Sequence, residues 1–353
     1  MNPEEKRTEV DKVVRTIQKK YGLPEDTLVI ARASDLPIRG RIPTGILSLD
    51  NLLRGGFPMG QFSTVFGCES TCKTTLSYMT IAEAQKMGLV PIYINAEHKF
   101  DPEWAQVQGV DLPSLGIISP EGASAEQILD CYIEVVKEYA ADLVVIDSVS
   151  ALSPGAEQDR TMAEDTMALV ARILSKFFRK GTGLTSKGNT CCLFIGQTRD
   201  TLSPYASKLS SLAGGHALKH MNQFILCTGR KTPQSGNNVT RDTGFIWTID
   251  ALKTTGPGEG TRLEYEFKYG MGVDKNSDII NLAISSGILD KGGGGNYTLS
   301  PQITSGEEVK VRGYPALVEA CMTYMDRIKE LVGNTIINNK ESSDEGSDSK
   351  PDI

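Results

Sequence analysis

The stretch Gly67-Cys68-Glu69-Ser70-Thr71-Cys72-Lys73-Thr74-Thr75 decides the fold. It reads as the phosphate-binding pattern G-x-x-x-x-G-K-[ST], with Cys72 in place of the second glycine. The apolar run Phe62-Ser63-Thr64-Val65-Phe66 precedes it as a candidate buried strand, and Leu76 to Gln85 follows it as a candidate helix. Strand, loop and helix form the context this pattern requires. Successive backbone N–H groups in such a loop wrap phosphate oxygens, and the helix N-terminus adds positive potential. Gly67, Glu69, Ser70, Thr71, Cys72, Lys73, Thr74 and Thr75 are therefore the candidate nucleotide-binding residues. Lys73 would reach the β- and γ-phosphates, and the Thr74 hydroxyl would sit on Mg²⁺. At position 72 a helical backbone tolerates a Cβ, whereas a positive φ strains it. A thiol beside the phosphates also makes sensitivity to oxidation an expectation.

The remaining composition bounds the class. With 353 residues, 39% hydrophobic and 23% charged, the chain suits one large globular domain with appendages. It has no apolar run of about 18 residues, so no membrane span is expected. Met1 to Lys20 is charged from the start and lacks a signal core, which points to the cytoplasm. Seven cysteines without C-x-x-C or zinc spacing fit reduced thiols in that compartment. His216 and His220 stand four apart, and without a third ligand they read as structural. The net charge of -7 does not by itself suggest nucleic acid. Part of that charge is local, because the tail from Lys340 to Ile353 sets five acids against two lysines.

Along the chain, Val10, Val13, Val14, Ile17 and Tyr21 stripe a helix over 4–21, stopped by Gly22 and Pro24. Leu28-Val29-Ile30 reads as a short strand. Strands are expected at 62–66, 90–95, 142–147, 191–196, 223–228 and 244–251. Helices are expected at 73–87, 101–108, 124–139, 161–180 and 214–221. Apolar strands alternating with helices predict an α/β fold with a largely parallel sheet covered on both faces. Residues 273–332 predict a small mixed lobe, turning at Gly292–Gly295 and closing with a helix at 314–331. From Asn334 onward the composition predicts disorder.

Three strands end in groups that suit chemistry. Leu143-Val144-Val145-Ile146-Asp147 ends in an acid that would hold Mg²⁺ through water beside the loop; the alternative is a capping aspartate. Ile92-Tyr93-Ile94-Asn95-Ala96-Glu97 ends in a carboxylate that could deprotonate an attacking water; the alternative is a favourable contact with a helix dipole. Leu193-Phe194-Ile195-Gly196-Gln197 ends in an amide able to bond a γ-phosphate and release when it leaves; the alternative is a surface loop glutamine. Lys73, Glu97 and Gln197 are the catalytic candidates, and Thr74 and Asp147 the metal candidates. After Gln197, residues 198–213 mix Ser, Thr, Pro and Ala with Arg199, Leu202, Tyr205 and Lys208. Basic residues interleaved with aromatic and aliphatic ones suit single-stranded nucleic acid.

Together these residues resemble the RecA family of homologous-recombination ATPases, from about Thr16 to Leu331. The likeness is carried by Thr44-Gly45-Ile46-Leu47-Ser48-Leu49-Asp50, Gly55-Gly56-Phe57-Pro58-Met59-Gly60 and the phosphate loop. It continues in Ala96-Glu97-His98 with Asp101-Pro102, Ile146-Asp147-Ser148-Val149, Gln197-Thr198-Arg199 and Gly214-Gly215-His216-Ala217-Leu218-Lys219. The altered loop resembles phage recombinases of the UvsX kind more than cellular ones. The resemblance implies a RecA-type core over 34–272, an N-terminal docking segment over 1–33, a small C-terminal α+β lobe over 273–333 and an acidic tail over 334–353. It implies that Glu97 is the catalytic glutamate and that Asp101 and Trp104 meet adenine. It also implies that Gln197 senses the γ-phosphate and that Lys253 reaches a neighbour's ATP; Ala251 stands where a second such lysine would be.

By the same resemblance, residues 155–165 and 198–213 are DNA loops. Arg160, Met167, Arg172, Arg179, Arg199, Leu202, Tyr205, Lys208, Gly214 and Gly215 are then the DNA-binding candidates. The implied cofactors are ATP and Mg²⁺. The implied partners are single- and double-stranded DNA, further copies of the chain in a helical filament, and single-strand-binding and mediator proteins, with no membrane. The implied activity is homologous pairing and strand exchange with DNA-dependent ATP hydrolysis, in the cytoplasm or, for a phage protein, that of the host. Three alternatives share the loop: a hexameric helicase-type ATPase, a nucleotide-dependent DNA-binding scaffold with weak hydrolysis, and an unrelated kinase.

Overall fold

The computed structural model of the chain describes residues 2–22, 39–155, 167–198, 215–234, 239–256 and 258–345. The chain divides into two units, Met1–Gly40 and Arg41–Ile353. The first unit holds the expected striped helix, α1 (Pro3–Tyr21). The strand expected at 28–30 lies outside the described residues.

The second unit opens with β1 (Arg41–Ile42), α2 (Leu47–Leu52) and β2 (Phe57–Pro58). It continues through β3 (Phe62–Gly67), α3 (Lys73–Lys86), β4 (Pro91–Asn95), α4 (Pro102–Val107), β5 (Gly116–Ile118), α5 (Ala125–Lys137) and β6 (Leu143–Asp147). Then come α6 (Met167–Gly188), β7 (Cys191–Gln197), α7 (Gly215–Met221), β8 (Asn222–Lys231), β9 (Gly244–Lys253), β10 (Arg262–Lys268) and β11 (Gly272–Val273). Among the described residues β3 to β11 form one nine-stranded sheet in the order β11-β10-β9-β8-β3-β7-β6-β4-β5. From β8 to β5 the pairing is parallel, and β9, β10 and β11 extend it antiparallel.

Period-two alternation divides the buried strands between two hydrophobic clusters. Val65, Leu143, Val145, Leu193 and Ile195 face one cluster with Leu76 and Met79 of α3. Phe62, Phe66, Val144, Ile146 and Phe194 face the other with Tyr132 of α5 and Phe177 and Phe178 of α6. The Phe62 ring centres that second layer, 5.0 Å from Phe178 edge-on and 5.9 Å from Phe194 in a stack. Helix α3 is buried on nearly every side, as a helix between sheet and surface layer must be.

Several expectations shift. The helix expected to end at residue 180 runs to Gly188. Gly181 does not stop it; an added Cβ there would lie 3.1 Å from Ile133, so the glycine lets α5 approach closely. Strands β5 and β10 were not expected. β5 is three mostly exposed residues, and β10 alternates polar and apolar instead of forming an apolar run.

The C-terminal region comprises α8 (Lys275–Ser285), β12 (Leu289–Lys291), β13 (Asn296–Leu299), α9 (Pro301–Thr304), β14 (Val309–Arg312), α10 (Tyr314–Thr323) and α11 (Met325–Glu345). Its three strands pair antiparallel around a separate cluster that includes Ile280, Leu299, Leu317, Cys321, Ile328 and Val332. The single helix expected at 314–331 is two helices meeting at Tyr324, with no glycine or proline to mark the break. The order expected to end at Asn334 continues as helix to Glu345. Residues 334–345 contain no glycine or proline, and their helix propagates from the packed turn at Ile328 and Val332. Ser48 of α2 ties this region to the sheet, donating from its backbone to Asp278 at 3.1 Å and lying 2.9 Å from the Tyr265 hydroxyl.

Nearby, Asp50 accepts from the Thr44 backbone at 2.6 Å and the Thr44 hydroxyl at 2.8 Å. Burial pushes its carboxyl up from 3.8 to about 6 against those bonds. Because the folded value is raised, the stability it contributes is complete below pH 3.8 and is lost as pH rises through about 6. The difference corresponds to roughly 3 kcal/mol. Urea unfolding from pH 4 to pH 7 should therefore show a loss of about that size in the native protein relative to Asp50→Asn; parallel curves would contradict it.

Candidate functional site

Parallel register brings the functional groups to one edge. Gly67 stands level with Gln197 and Thr228, and Asp147 with Asn95 and Ile195. The residues following β3, β4, β6 and β7 therefore emerge together at the carboxyl ends of the strands, where ligands of open α/β sheets bind.

At Gly67 a Cβ would come within 2.4 Å of the Thr228 carbonyl, so no other residue fits. The Thr71 hydroxyl donates to Cys68 O at 2.7 Å and lies 2.8 Å from the Thr228 hydroxyl. The buried Trp247 of β9 donates its indole N–H to Thr71 O at 2.9 Å. The loop is thus held by β8 and β9 as well as by its own strand; neither Thr228 nor Trp247 was singled out in the sequence. Cys72 has φ 62° and ψ 26°, the left-handed conformation, just before α3 begins. This is the strained alternative for a residue with a Cβ, at a cost of about 1–2 kcal/mol. Burial pushes its thiol up to about 12, so at neutral pH it is a neutral, protonated group. Glu69 and Ser70 are exposed at the loop tip.

The Lys73 side chain folds back over the loop, its Nζ donating to Cys68 O at 2.6 Å. Burial lowers its pKa, while Asp147 and Glu97 favour its charged form. The Thr74 hydroxyl donates to Asp147 Oδ2 at 2.7 Å, and the buried Tyr93 hydroxyl donates to the same oxygen at 2.7 Å. Burial raises the Asp147 pKa, and these two bonds oppose the rise. A hydroxyl and a carboxylate side by side at the start of α3 form an all-oxygen set, which fits Mg²⁺ held by few protein ligands and completed by water and phosphate. Among the described residues no group of three His, Cys, Asp or Glu forms an all-protein metal cage. The rings of His216 and His220 stack with centroids 6.2 Å apart.

Glu97 lies alongside. Its Oε1 accepts from the Gln197 side-chain amide at 3.0 Å and from the Ser148 hydroxyl, and Lys99 Nζ lies 3.4 Å from Oε2. The Gln197 backbone donates to Ser150 Oγ at 3.0 Å. The next residue, Thr198, donates its backbone N–H to Gly67 O at 3.2 Å and its hydroxyl to Cys68 Sγ at 3.3 Å. The structure thus brings Lys73, Thr74, Asp147, Glu97 and Gln197 together at this edge.

Asp101 caps α4 by accepting from Trp104 N at 3.0 Å. The Trp104 indole donates to Thr75 Oγ1 at 3.0 Å and lies 6.2 Å from the Phe267 ring. A hollow of about 250 Å³ is lined by residues 70–75 and Phe245, an aromatic the sequence reading missed because it sits in an apolar strand. Lys253 behaves differently. Its Nζ donates to the carbonyls of Lys219 and His220 at the end of α7, at 3.1 and 2.9 Å. It pairs with Ile225, three residues back along β8 from Thr228, about 10 Å from the loop's level. It is not part of its own chain's phosphate site.

Of the DNA candidates, Arg172 and Arg179 are exposed on α6, with Leu174, Phe177 and Phe178 buried on its other side. Lys176 and Lys180 are also exposed at compatible helical spacing, so the basic stripe is longer than expected. Met167 and Gly215 begin helices. Arg160, Arg199, Leu202, Tyr205, Lys208 and Gly214 lie outside the described residues. No helix among the described residues is long and apolar enough to cross a membrane.

Comparison with known proteins shows the family. Residues 8–257 match the family model of the RecA N-terminal domain. A protein RecA of Heliobacterium modesticaldum is 34% identical over 313 residues, 87% of this chain and 89% of that one. The protein RecA of Cytophaga hutchinsonii is 37% identical over 262 residues, 73% and 72% of the two chains. That of Thermus aquaticus is 34% identical over 293 residues, 82% and 84%. A crystal structure of the RadB recombinase aligns with TM-score 0.48 at 20% identity, covering 66% of this chain and 98% of that one.

Two outcomes follow for the loop cysteines. Cys72→Gly should stabilise the protein by about 1 kcal/mol in denaturant unfolding, by removing a Cβ from a left-handed position. Iodoacetamide at neutral pH should label the exposed Cys68 well before Cys72, read by peptide mass spectrometry; equal labelling would contradict the neutral, half-buried thiol.

Proposed function

The chain belongs to the RecA family, and from that membership we propose that it is a DNA-dependent ATPase that forms helical filaments on single-stranded DNA and carries out homologous pairing and strand exchange. As a member of that family it is an ATP-hydrolysing recombinase. The observation that carries the reading is the 3.0 Å bond from the Gln197 amide to Glu97, one residue before a segment whose first member, Thr198, touches the phosphate loop. A γ-phosphate offers that amide a competing, fully charged acceptor. Transfer of the amide would leave Glu97 Oε1 with the Ser148 hydroxyl alone and free a lone pair to accept a proton from the attacking water. The same movement would pass to Thr198, the first residue of the 198–213 segment, which carries Arg199, Leu202, Tyr205 and Lys208. Water attack breaks the γ-phosphorus bond to the bridging oxygen and releases ADP.

Lys73 would meet the developing charge on the phosphates, and Thr74 and Asp147 would hold Mg²⁺. The bound metal would neutralise phosphate charge. Asp101 and Trp104 would flank the base. Lys253, remote from its own loop, is free by position to face a neighbour's nucleotide in a head-to-tail assembly, and α1 is the candidate docking helix. The exposed stripe of Arg172, Lys176, Arg179 and Lys180 supports contact with a phosphate backbone despite the overall negative charge.

Phosphate release with and without single-stranded DNA tests the reading. Lys73→Ala should abolish turnover. Gln197→Ala should keep ATP binding but lose most of the stimulation by DNA; undiminished stimulation would refute the switch. The double change Arg172→Ala with Arg179→Ala should weaken single-strand binding roughly tenfold and lower the salt slope by about 1.4. Micrographs with an ATP analogue should show filaments, and closed rings would favour the helicase-type alternative.

A further inference from the structure

We infer that Trp247 is a positioning residue for the phosphate loop, and that its indole offsets the strain of carrying a cysteine at position 72. The inference rests on the nucleotide-binding reading above. Trp247 is fully buried on β9, with its ring 5.9 Å from Tyr265 and 6.3 Å from Phe267. Its one polar atom donates to Thr71 O at 2.9 Å. That carbonyl belongs to the peptide unit joining Thr71 to Cys72.

A trans peptide is planar, and its C=O and N–H point in opposite directions. Holding the Thr71 carbonyl on the β9 side therefore aims the Cys72 N–H away from β9. Cys72 is the residue from which α3 begins, where successive N–H groups cradle an anion. A cysteine at φ 62° can relieve its Cβ contact by rotating this one peptide until φ is negative. The rotation needs no movement of the Thr71 side chain, which is held separately by Cys68 O and Thr228. It would, however, turn the Thr71 carbonyl off the indole. A buried indole N–H left without an acceptor costs as much as any orphaned buried donor, so the bond opposes the rotation. With glycine at position 72 the left-handed conformation needs no such support. The two residues are therefore coupled: Trp247 matters because position 72 is not glycine.

The test is a cycle of native protein, Trp247→Phe, Cys72→Gly and the double variant. ADP affinity is read by calorimetry, so that hydrolysis is not required. Trp247→Phe keeps a ring in the core and removes the donor. We expect it to weaken ADP binding about tenfold with Cys72 present and no more than about twofold in the Cys72→Gly background. Equal losses in both backgrounds, or no loss in either, would overturn the inference while leaving the nucleotide site intact. No ADP binding by the native protein would overturn both. Folding of the double variant where Trp247→Phe alone fails to fold would support the coupling. If neither folds, the indole N–H signal of Trp247 in the native protein decides, told apart from the one other tryptophan with Trp104→Phe. A shift of that signal on adding ADP supports the bond's role, and an unmoved signal overturns it.

Discussion

Everything at the site depends on parallel register among β3, β4, β6 and β7. Because Asn95 and Asp147 end their strands within two residues of the level of Gly67 and Gln197, groups separated by as many as 130 residues meet within hydrogen-bond reach. The register is enforced by burial on both faces. A slip of one residue in β6 would exchange Val144 and Ile146 for Leu143 and Val145 and send every side chain to the wrong hydrophobic layer. The chemistry is therefore located by the core.

That edge carries opposed charges in a poorly solvated place. Burial pushes Lys73 and Asp147 towards their neutral forms, and each resists the push on the other. The same Coulomb rule makes a phosphate favour charged Lys73 and a cation favour ionised Asp147. Glu97 is treated differently, with one oxygen shared by Ser148 and Gln197 and the other near Lys99. Donors on Oε1 oppose its use as a base, so whatever draws Gln197 away increases its readiness to take a proton. In the proposed function, this hydrogen bond is the one that would link phosphate occupancy to proton transfer.

The loop illustrates how a local conflict is tolerated. Cysteine in a left-handed position contradicts backbone preference, and in isolation a peptide of this sequence would avoid it. The conformation is opposed in its relaxation by a group distant in sequence, Trp247, through the carbonyl before Cys72. Strain at a phosphate loop is kept because the strands on either side leave it no inexpensive alternative.

Local signals alone determined much of this protein. The loop pattern, the apolar runs of β3, β6 and β7 and their terminal Gly67, Asp147 and Gln197 disclosed a parallel α/β core and the cluster at its edge, because period and motif are short-range properties. Strands β5 and β10 escaped notice, one for brevity and the other for alternating instead of forming an apolar run. The helix past Asn334 escaped because composition cannot report that a packed turn is already in place to propagate it. The tertiary structure alone decided the sign of φ at Cys72, the distance of Lys253 from its own loop, and the roles of Tyr93, Ser148, Thr228, Phe245 and Trp247. Each of those depends on which residue lies across a sheet or under a loop, a relation between segments far apart in the chain that no local pattern encodes.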